Sequence, residues 1–382
     1  MTEFPKKLTE KLTERQANNA LRKLPVPNGL IDFSSNDYLG FAKNGTIFKN
    51  TSCILEKKGI NDNGASGSRL LTGNSELYGE LEDLLADFFG SGAALIFNSG
   101  YDANIGFFSA VPQRTDVVFY DELSHASIRD GIGLGRAQSF KFKHNSVEDL
   151  SRQIDRVREG KLDSDIYVVT ESVFSMDGDS PDLEAFVALC QTKGAYLVID
   201  EAHAVGVFGR KGEGLIYELG LQDKVFARIV TFGKAMGCHG AAILGSDALK
   251  SYLVNFARSF IYTTGMPPHS LATILSACEH VSATNKEQNQ LRTNIEFFKS
   301  ELKVHNLQSY FIPSNSAVHC CLVEGNEKVK KWSQQLQENG FDIKPIMSPT
   351  VPKGKERLRF CLHSFNTEQE INEVLLQLSN LF

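Results

Sequence analysis

Six short apolar runs constrain the fold of this 382-residue chain more than any other feature: Ala93 to Phe97, Val117 to Tyr120, Ile166 to Thr170, Tyr196 to Ile199, Ile229 to Phe232 and Gly240 to Leu244. Runs apolar from end to end are strands buried on both faces. Helical patterns fall between several of them. Asn98-Ser-Gly-Tyr101 turns into a helix through Phe108, another helix begins after His125, and residues 182 to 192 are helical. Strands alternating with helices predict a mainly parallel sheet with right-handed crossovers. Ligands of such sheets bind at the strands' carboxyl ends, which is where the polar and glycine-bearing clusters of this chain lie.

The flanking segments read differently. Residues 2 to 23 carry Phe4, Leu8, Leu12 and Leu21 among polar positions, an amphipathic helix stopped by Pro25 and Pro27. The ordinary reading of Arg22 and Lys23 at its end is compensation of the helix dipole. A short strand at Ile31 breaks into the polar turn ending at Gly40. Residues 59 to 73 form a loop of glycine and small residues; Arg69 beside Leu70 and Leu71 predicts an ordered loop near a site. Asn74 is expected to cap a helix with Leu77, Leu81, Leu84, Leu85 and Phe88 on one face, closed by Gly90. After Thr263-Thr-Gly-Met-Pro-Pro268 come two helical segments, 267 to 281 and 286 to 302. A smaller α+β unit follows, with strands at 317–323, 341–345 and 357–362 and a helix at 327–338. Thr367 and Glu370 form a capping box for the last helix. The expected division is 1–40, an N-terminal helix and short strand; 41–265, a large α/β domain; and 266–382, a smaller C-terminal α+β domain.

Composition excludes several classes. A net charge of −6 disfavours a nucleic-acid footprint or an anionic membrane surface. The seven cysteines show no C-x-x-C spacing and read as reduced core residues rather than zinc ligands or disulfides. No stretch is long and apolar enough to cross a bilayer, so a cytoplasmic protein without a membrane partner is expected.

The chemistry gathers at the strand ends. Lys234 follows the strand Ile229 to Phe232 in a Gly-Lys step, where Gly233 and Gly237 are expected to permit a sharp turn. A partly desolvated lysine can act as an amine nucleophile toward a carbonyl. Asp200 ends the strand from Tyr196 and is followed by His203. A carboxylate there needs a cationic partner, and a lysine for a Schiff base plus an aspartate for a pyridinium nitrogen is the pairing that pyridoxal phosphate (PLP) chemistry needs. His203 could reach the phenolic oxygen of the same ring. Ser99-Gly100-Tyr101 at a strand-to-helix turn offers backbone N–H groups to a phosphate, although Tyr101 also reads as a core aromatic. His125 is either a structural histidine or an imidazole stacked on a flat ring. Thr231 is either a phosphate ligand or a β-branched strand residue. A rival reading exists, since Val-Ile-Asp-Glu-Ala-His203 also resembles the magnesium-binding segment of a helicase ATPase. That reading requires G-x-x-x-x-G-K-[ST]. The only Gly-Lys steps, ending at Lys161, Lys234 and Lys355, continue into Leu, Ala and Glu.

Taken together, the segments Ser-Ser-Asn-Asp-Tyr-Leu-Gly40, Gly-Ala-Ser-Gly-Ser-Arg69, Asn-Ser-Gly-Tyr-Asp-Ala-Asn104, Asp-Glu-Leu-Ser-His-Ala-Ser127, Val-Phe-Ser-Met-Asp-Gly-Asp179, Ile-Asp-Glu-Ala-His-Ala-Val-Gly206 and Thr-Phe-Gly-Lys-Ala-Met-Gly237 resemble the α-oxoamine synthase family of PLP enzymes, fold type I. The resemblance runs over nearly the whole chain in the family's order. It implies Lys234 as the cofactor-bearing lysine, Asp200 at the pyridine nitrogen, His203 at the ring oxygen and His125 stacked on the ring. It also implies that Gly100, Tyr101 and Thr231 hold cofactor with Ser175 near the ring, and that Thr263 and Thr264 approach the phosphate from the partner in a homodimer with its site at the interface. Asn36 and Arg359 would bind an amino-acid carboxylate. Arg22 and Thr350 match acyl-substrate positions. The implied reaction is decarboxylative condensation of an amino acid with an acyl thioester. Gly240-Ala-Ala-Ile-Leu244 differs from the Gly-Gly more often seen in the glycine-using branches, and the stretch from Pro27 to Asp32 is short where the family commonly has a hairpin. The alternative of a different class is a PLP-binding regulator without turnover, but no basic helix-turn-helix segment is left over for one.

Overall fold

The computed structural model describes residues 4–18, 20–22, 24, 29–160 and 164–382. In chain order its strands are β1 (Ile31–Asp32), β2 (Ala93–Phe97), β3 (Val117–Asp121), β4 (Gln138–Phe142), β5 (Ile166–Glu171), β6 (Tyr196–Asp200), β7 (Ala227–Thr231), β8 (Ala241–Gly245), β9 (Val318–Leu322), β10 (Phe341–Asp342), β11 (Lys344–Ile346) and β12 (Arg357–Cys361). Seven form one sheet in the order β2-β8-β7-β6-β5-β3-β4. Neighbours from β7 to β4 pair parallel, while β8 is antiparallel to both β7 and β2. The expected mainly parallel sheet is present with one reversal. The stretch from Thr231 to Ala241 is too short for a crossover helix, so β8 must turn back along β7. Period-two alternation feeds two cores. Val117 and Phe119 of β3 join Ile166, Val168 and Phe186 on one face, and Val118 joins Phe107, Val169 and Ile229 on the other. β4 had no apolar run to announce it, because it is an edge strand and largely exposed.

The chain packs as two compact units, 36–175 with 179–292, and 1–35 with 176–178 and 293–382. These boundaries differ from the expected ones at 40 and 265. Helix Pro268–Ala283 packs on α2 (Gly45–Lys57) and α3 (Glu76–Phe89), so it stays with the larger unit. In the smaller unit, β1 pairs parallel with β10, which ties the N-terminal segment to the C-terminal one. That unit also carries the sheet β11-β12-β9 and the expected Thr367–Glu370 capping box.

Three local expectations are corrected. Helix α1 runs only Lys6–Ala17, so Arg22 lies beyond it and compensates no dipole. The poor helix former Asn18 already has non-helical dihedrals. Lys23, Pro25 and Pro27 lie outside the described residues, as does Asn28 at the start of the shortened stretch before Asp32. Helix α3 is preceded by Ser75, and Asn74 does not cap it. Asn74 Oδ1 instead accepts from Arg69 Nε at 3.0 Å, while Arg69 Nη1 meets Glu82 at 2.5 Å and its guanidinium lies over the Tyr78 ring. Arg69 does order its loop, by binding the loop to α3. Cys53 is exposed rather than core; all seven cysteines are free. Among the described residues no helix is long and apolar enough to cross a membrane.

One buried ion cluster in the larger unit yields a stability prediction. His144 donates to Asp121 Oδ1 and Asp179 Oδ2, each at 2.9 Å. Burial opposes its charge, but the two carboxylates outweigh that and raise its pKa to about 10. A histidine raised in the folded state stabilises fully below its unfolded value of about 6.5. The contribution fades as pH climbs through the folded value. The Tm gap between the parent chain and His144→Gln should therefore be widest below about pH 6.5 and shrink steadily toward pH 10. A gap that widens with pH would contradict the clamp.

Candidate active site

Parallel register brings the catalytic candidates together in the larger unit. Asp200 at the end of β6 pairs with Glu171 at the end of β5 and with Ile229 of β7. Thr231 ends β7, and Lys234 follows in a turn held by Gly237 N–H to Lys234 O and Cys238 N–H to Phe232 O, both 2.8 Å. Of the two glycines in that turn only Gly237 is required. It sits at φ +61°, and a Cβ there would lie 2.1 Å from the Ala42 nitrogen, whereas Gly233 has room and an ordinary φ. His203 lies just beyond β6, with Nδ1 2.7 Å from the hydroxyl of the fully buried Tyr38. That hydroxyl also reaches Asn36 Oδ1 at 3.2 Å. Helix α4 (Gly100–Ala110) begins with Ser99 Oγ accepting the Asp102 N–H, which leaves its first N–H groups at the strand ends. His125 caps α5 (Ala126–Leu134).

These elements enclose a cavity of about 230 Å3 lined by Gly100, Tyr101, Asn104, His125, Glu171, Thr231 and Lys234, with Asp200 and His203 in the same wall. Burial raises Glu171 to about pKa 8, reinforced by neighbouring Asp200 and opposed by the His125 N–H that donates to it at 2.6 Å. Desolvation lowers the pKa of His125 against the attraction of Asp200, and Lys234 and Arg129 push it the same way as desolvation.

Seven of the expected residues thus share one cavity. Ser175, in the loop after β5, does not line it, nor do Thr263 and Thr264. Asn98 Nδ2 holds those two through Thr263 Oγ1 at 3.0 Å and Thr264 O at 2.9 Å. Arg22, Thr350 and Arg359 belong to the smaller unit. Arg22 and Thr350 are exposed there, and Arg359 on β12 donates to Cys361 Sγ at 3.0 Å. Residue-by-residue reading passed over Tyr38, Asn104, Ser127 and Glu171. A signal existed for two of them: Asn104 is one turn beyond Gly100 on the same helix face, and Glu171 ends a strand as Asp200 does.

The comparisons with known proteins agree with this site. The model of the aminotransferase class I and II family matches residues 28–378. The 8-amino-7-oxononanoate synthase of Emericella nidulans is 38% identical over 386 residues, 96% of this chain and 93% of its own. Among solved structures, a serine palmitoyltransferase variant from S. paucimobilis with bound PLP superposes at TM-score 0.88, with 27% identity over 98% of this chain and 96% of that one. The 8-amino-7-oxononanoate synthase of Francisella tularensis gives TM-score 0.76 and 28% identity over 93% and 98%. The chain belongs to the aminotransferase class I and II family of fold type I. Its branch is the α-oxoamine synthases, PLP-dependent acyltransferases.

The cavity fits that cofactor on its own chemistry. It offers the Lys234 amine, the Asp200 carboxylate and a helix N-terminus, and the buried Thr231 Oγ1 has no hydrogen-bond partner among the described residues. Gly100 is part of the cradle, since a Cβ there would lie 2.5 Å from Thr231 Cγ2. Overpacking of this kind costs about 1–3 kcal/mol. Gly100→Ala should therefore weaken PLP binding, measured by fluorescence titration of the apoprotein, by about tenfold. Unchanged affinity would show that the cofactor does not use this wall.

Proposed function

We propose that the chain condenses L-alanine with pimeloyl-CoA, or the pimeloyl thioester of an acyl-carrier protein, to give 8-amino-7-oxononanoate and CO2 in biotin biosynthesis. The observation that carries this reading is the convergence of Lys234, Asp200, His203 and His125 on one cavity, in a chain 38% identical to a relative of that name. PLP, when bound, supplies an electron sink that stabilises negative charge at the amino acid's Cα. Lys234 holds the cofactor, and its amine then removes the alanine Cα proton and carries it on Nζ. Asp200 balances the positive pyridine nitrogen, and His203 binds the phenolic oxygen. Thr231 and the α4 N-terminus bind phosphate. His125 donates to the carbonyl oxygen where charge develops. Overall, a bond forms between alanine Cα and the acyl carbon, the C–S bond breaks, and the thiol leaves with a proton. The former alanine carboxylate is lost as CO2, and Cα regains a proton.

In this reading the enzyme is a cytoplasmic homodimer. Leu71 and Tyr262 are 81% and 72% exposed on two loops joined by Gly265 N–H to Gly67 O, an apolar surface that a second copy would cover. The partner's Thr263 and the partner's Thr264 then complete the phosphate site. Asn36 and Arg359 take the alanine carboxylate, Ser175 lies near the ring, and Arg22 and Thr350 contact the acyl substrate. The likeness to serine palmitoyltransferase makes serine the competing amino acid. A thiol-release assay with alanine, glycine and serine against thioesters of graded acyl length should give fastest release with alanine and the pimeloyl chain. Preference for serine with a long acyl chain would overturn the assignment.

A further inference from the structure

Asp200 fixes more than a charge. As a carboxylate it can only accept hydrogen bonds. Its Oδ1 takes the Ala202 N–H at 2.9 Å, and its Oδ2 lies 2.9 Å from Asn104 Nδ2. The Asn104 amide must therefore turn its nitrogen toward Asp200. The flipped amide would set oxygen against oxygen. The orientation holds even though it leaves Asn104 Oδ1 buried without a partner among the described residues. The second N–H of the same nitrogen goes to Ser127 Oγ at 3.0 Å. Having accepted there, the Ser127 hydroxyl has its own proton to give, and His125 Nδ1 is 2.8 Å away. The Ser127 backbone N–H approaches the same ring nitrogen at 3.3 Å. Two donors thus converge on Nδ1, which carries no proton. In a neutral imidazole the proton then sits on Nε2. Asn104 and Ser127 are 2% and 1% exposed, so water does not compete for the relay.

We propose that Asn104 and Ser127 are positioning residues that transmit the orientation set by Asp200 and hold His125 as the neutral Nε2–H tautomer, so that it meets substrate as a hydrogen-bond donor rather than a base. The charges around the ring agree with a neutral imidazole. Desolvation, Lys234 and Arg129 disfavour the imidazolium, while Asp200 and Asp130 favour it. Glu171, which accepts the His125 backbone N–H, is held up near pKa 8 and contributes little negative charge at neutral pH. The same aspartate that faces the cofactor nitrogen therefore also selects which nitrogen of His125 is protonated. The catalytic consequence rests on the proposed condensation, in which an Nε2–H donor polarises the acyl carbonyl; the tautomer itself does not.

The test is long-range 1H–15N correlation of 15N-histidine-labelled protein, as apoenzyme and with PLP, with the His125 signals assigned by their loss in His125→Gln. The expected result is a pyridine-type Nδ1 and a pyrrole-type Nε2 in both forms. Ser127→Ala should average the two nitrogens toward mixed tautomers and lower kcat by about tenfold, a fraction of what a proton-transfer group is worth, with little change in the KM for alanine. Ser127→Thr, which keeps the hydroxyl, should restore both readings. A pyrrole-type Nδ1 or an imidazolium in the parent chain would overturn the proposal, as would a Ser127→Ala spectrum identical to the parent's. Because the spectrum needs no turnover, the expected tautomer in a protein that condenses no thioester would sink the proposed reaction alone.

Discussion

Lys234→Ala should lower kcat for condensation by at least about 10^3-fold, the order lost when a positioned proton-transfer group is removed. The expectation follows from placement. The lysine stands in a turn directly after β7, and that turn exists because Gly237 adopts a positive φ against the Ala42 backbone. Its amine opens into a cavity whose other walls include two histidines and two strand-end carboxyl groups. Among the described residues no other lysine lines that cavity, so no nearby amine can substitute. The core is undisturbed, and Tm should stay close to that of the parent chain. Near-parental turnover in the variant would remove Lys234 from the chemistry.

Asp200→Asn is the second large effect. The side chain is 4% exposed and holds two hydrogen bonds, from Ala202 N–H and Asn104 Nδ2. The substitution keeps shape and removes charge. A buried cation deprived of its partner loses about 3–5 kcal/mol, so kcat should fall by about 10^2–10^4. It also gives Asn104 a neighbour that can donate, which frees the amide to flip and loosens the proton position on His125. Asp200→Asn should therefore alter the His125 nitrogen signals as well as the rate. A rate loss under about fivefold would mean that the ring nitrogen does not depend on this carboxylate.

The scaffold was legible because burial on both faces of a parallel sheet leaves uninterrupted apolar runs. Each of the six runs corresponds to a strand, and polar residues after five of them, all but the reversed β8, meet at one end of the sheet. The edge strand β4 carries no such run and could not be read. The reversal at β8 was hidden for another reason: an antiparallel strand covered on both faces has the composition of a parallel one. Lys234 and Asp200 were legible because reactive groups interrupt an apolar pattern. Ser127 interrupts nothing and reads as an ordinary helix residue, and the place of Asn104 on the Gly100 face of α4 does not say what it bonds. Their part depends on distances between α4, α5 and β6 that spacing does not encode. Arg69 was legible as the residue that orders its loop, but not in how it does so. Its setting among small residues looks the same whether it serves a ligand or, as here, pins its own loop to α3.

The most direct test of the account is reductive trapping. The PLP-loaded protein is treated with borohydride, digested, and its peptides mapped by mass. The account predicts a single phosphopyridoxyl group, on Lys234. A label on any other lysine, or a protein that takes up PLP and yields no labelled peptide, would contradict it.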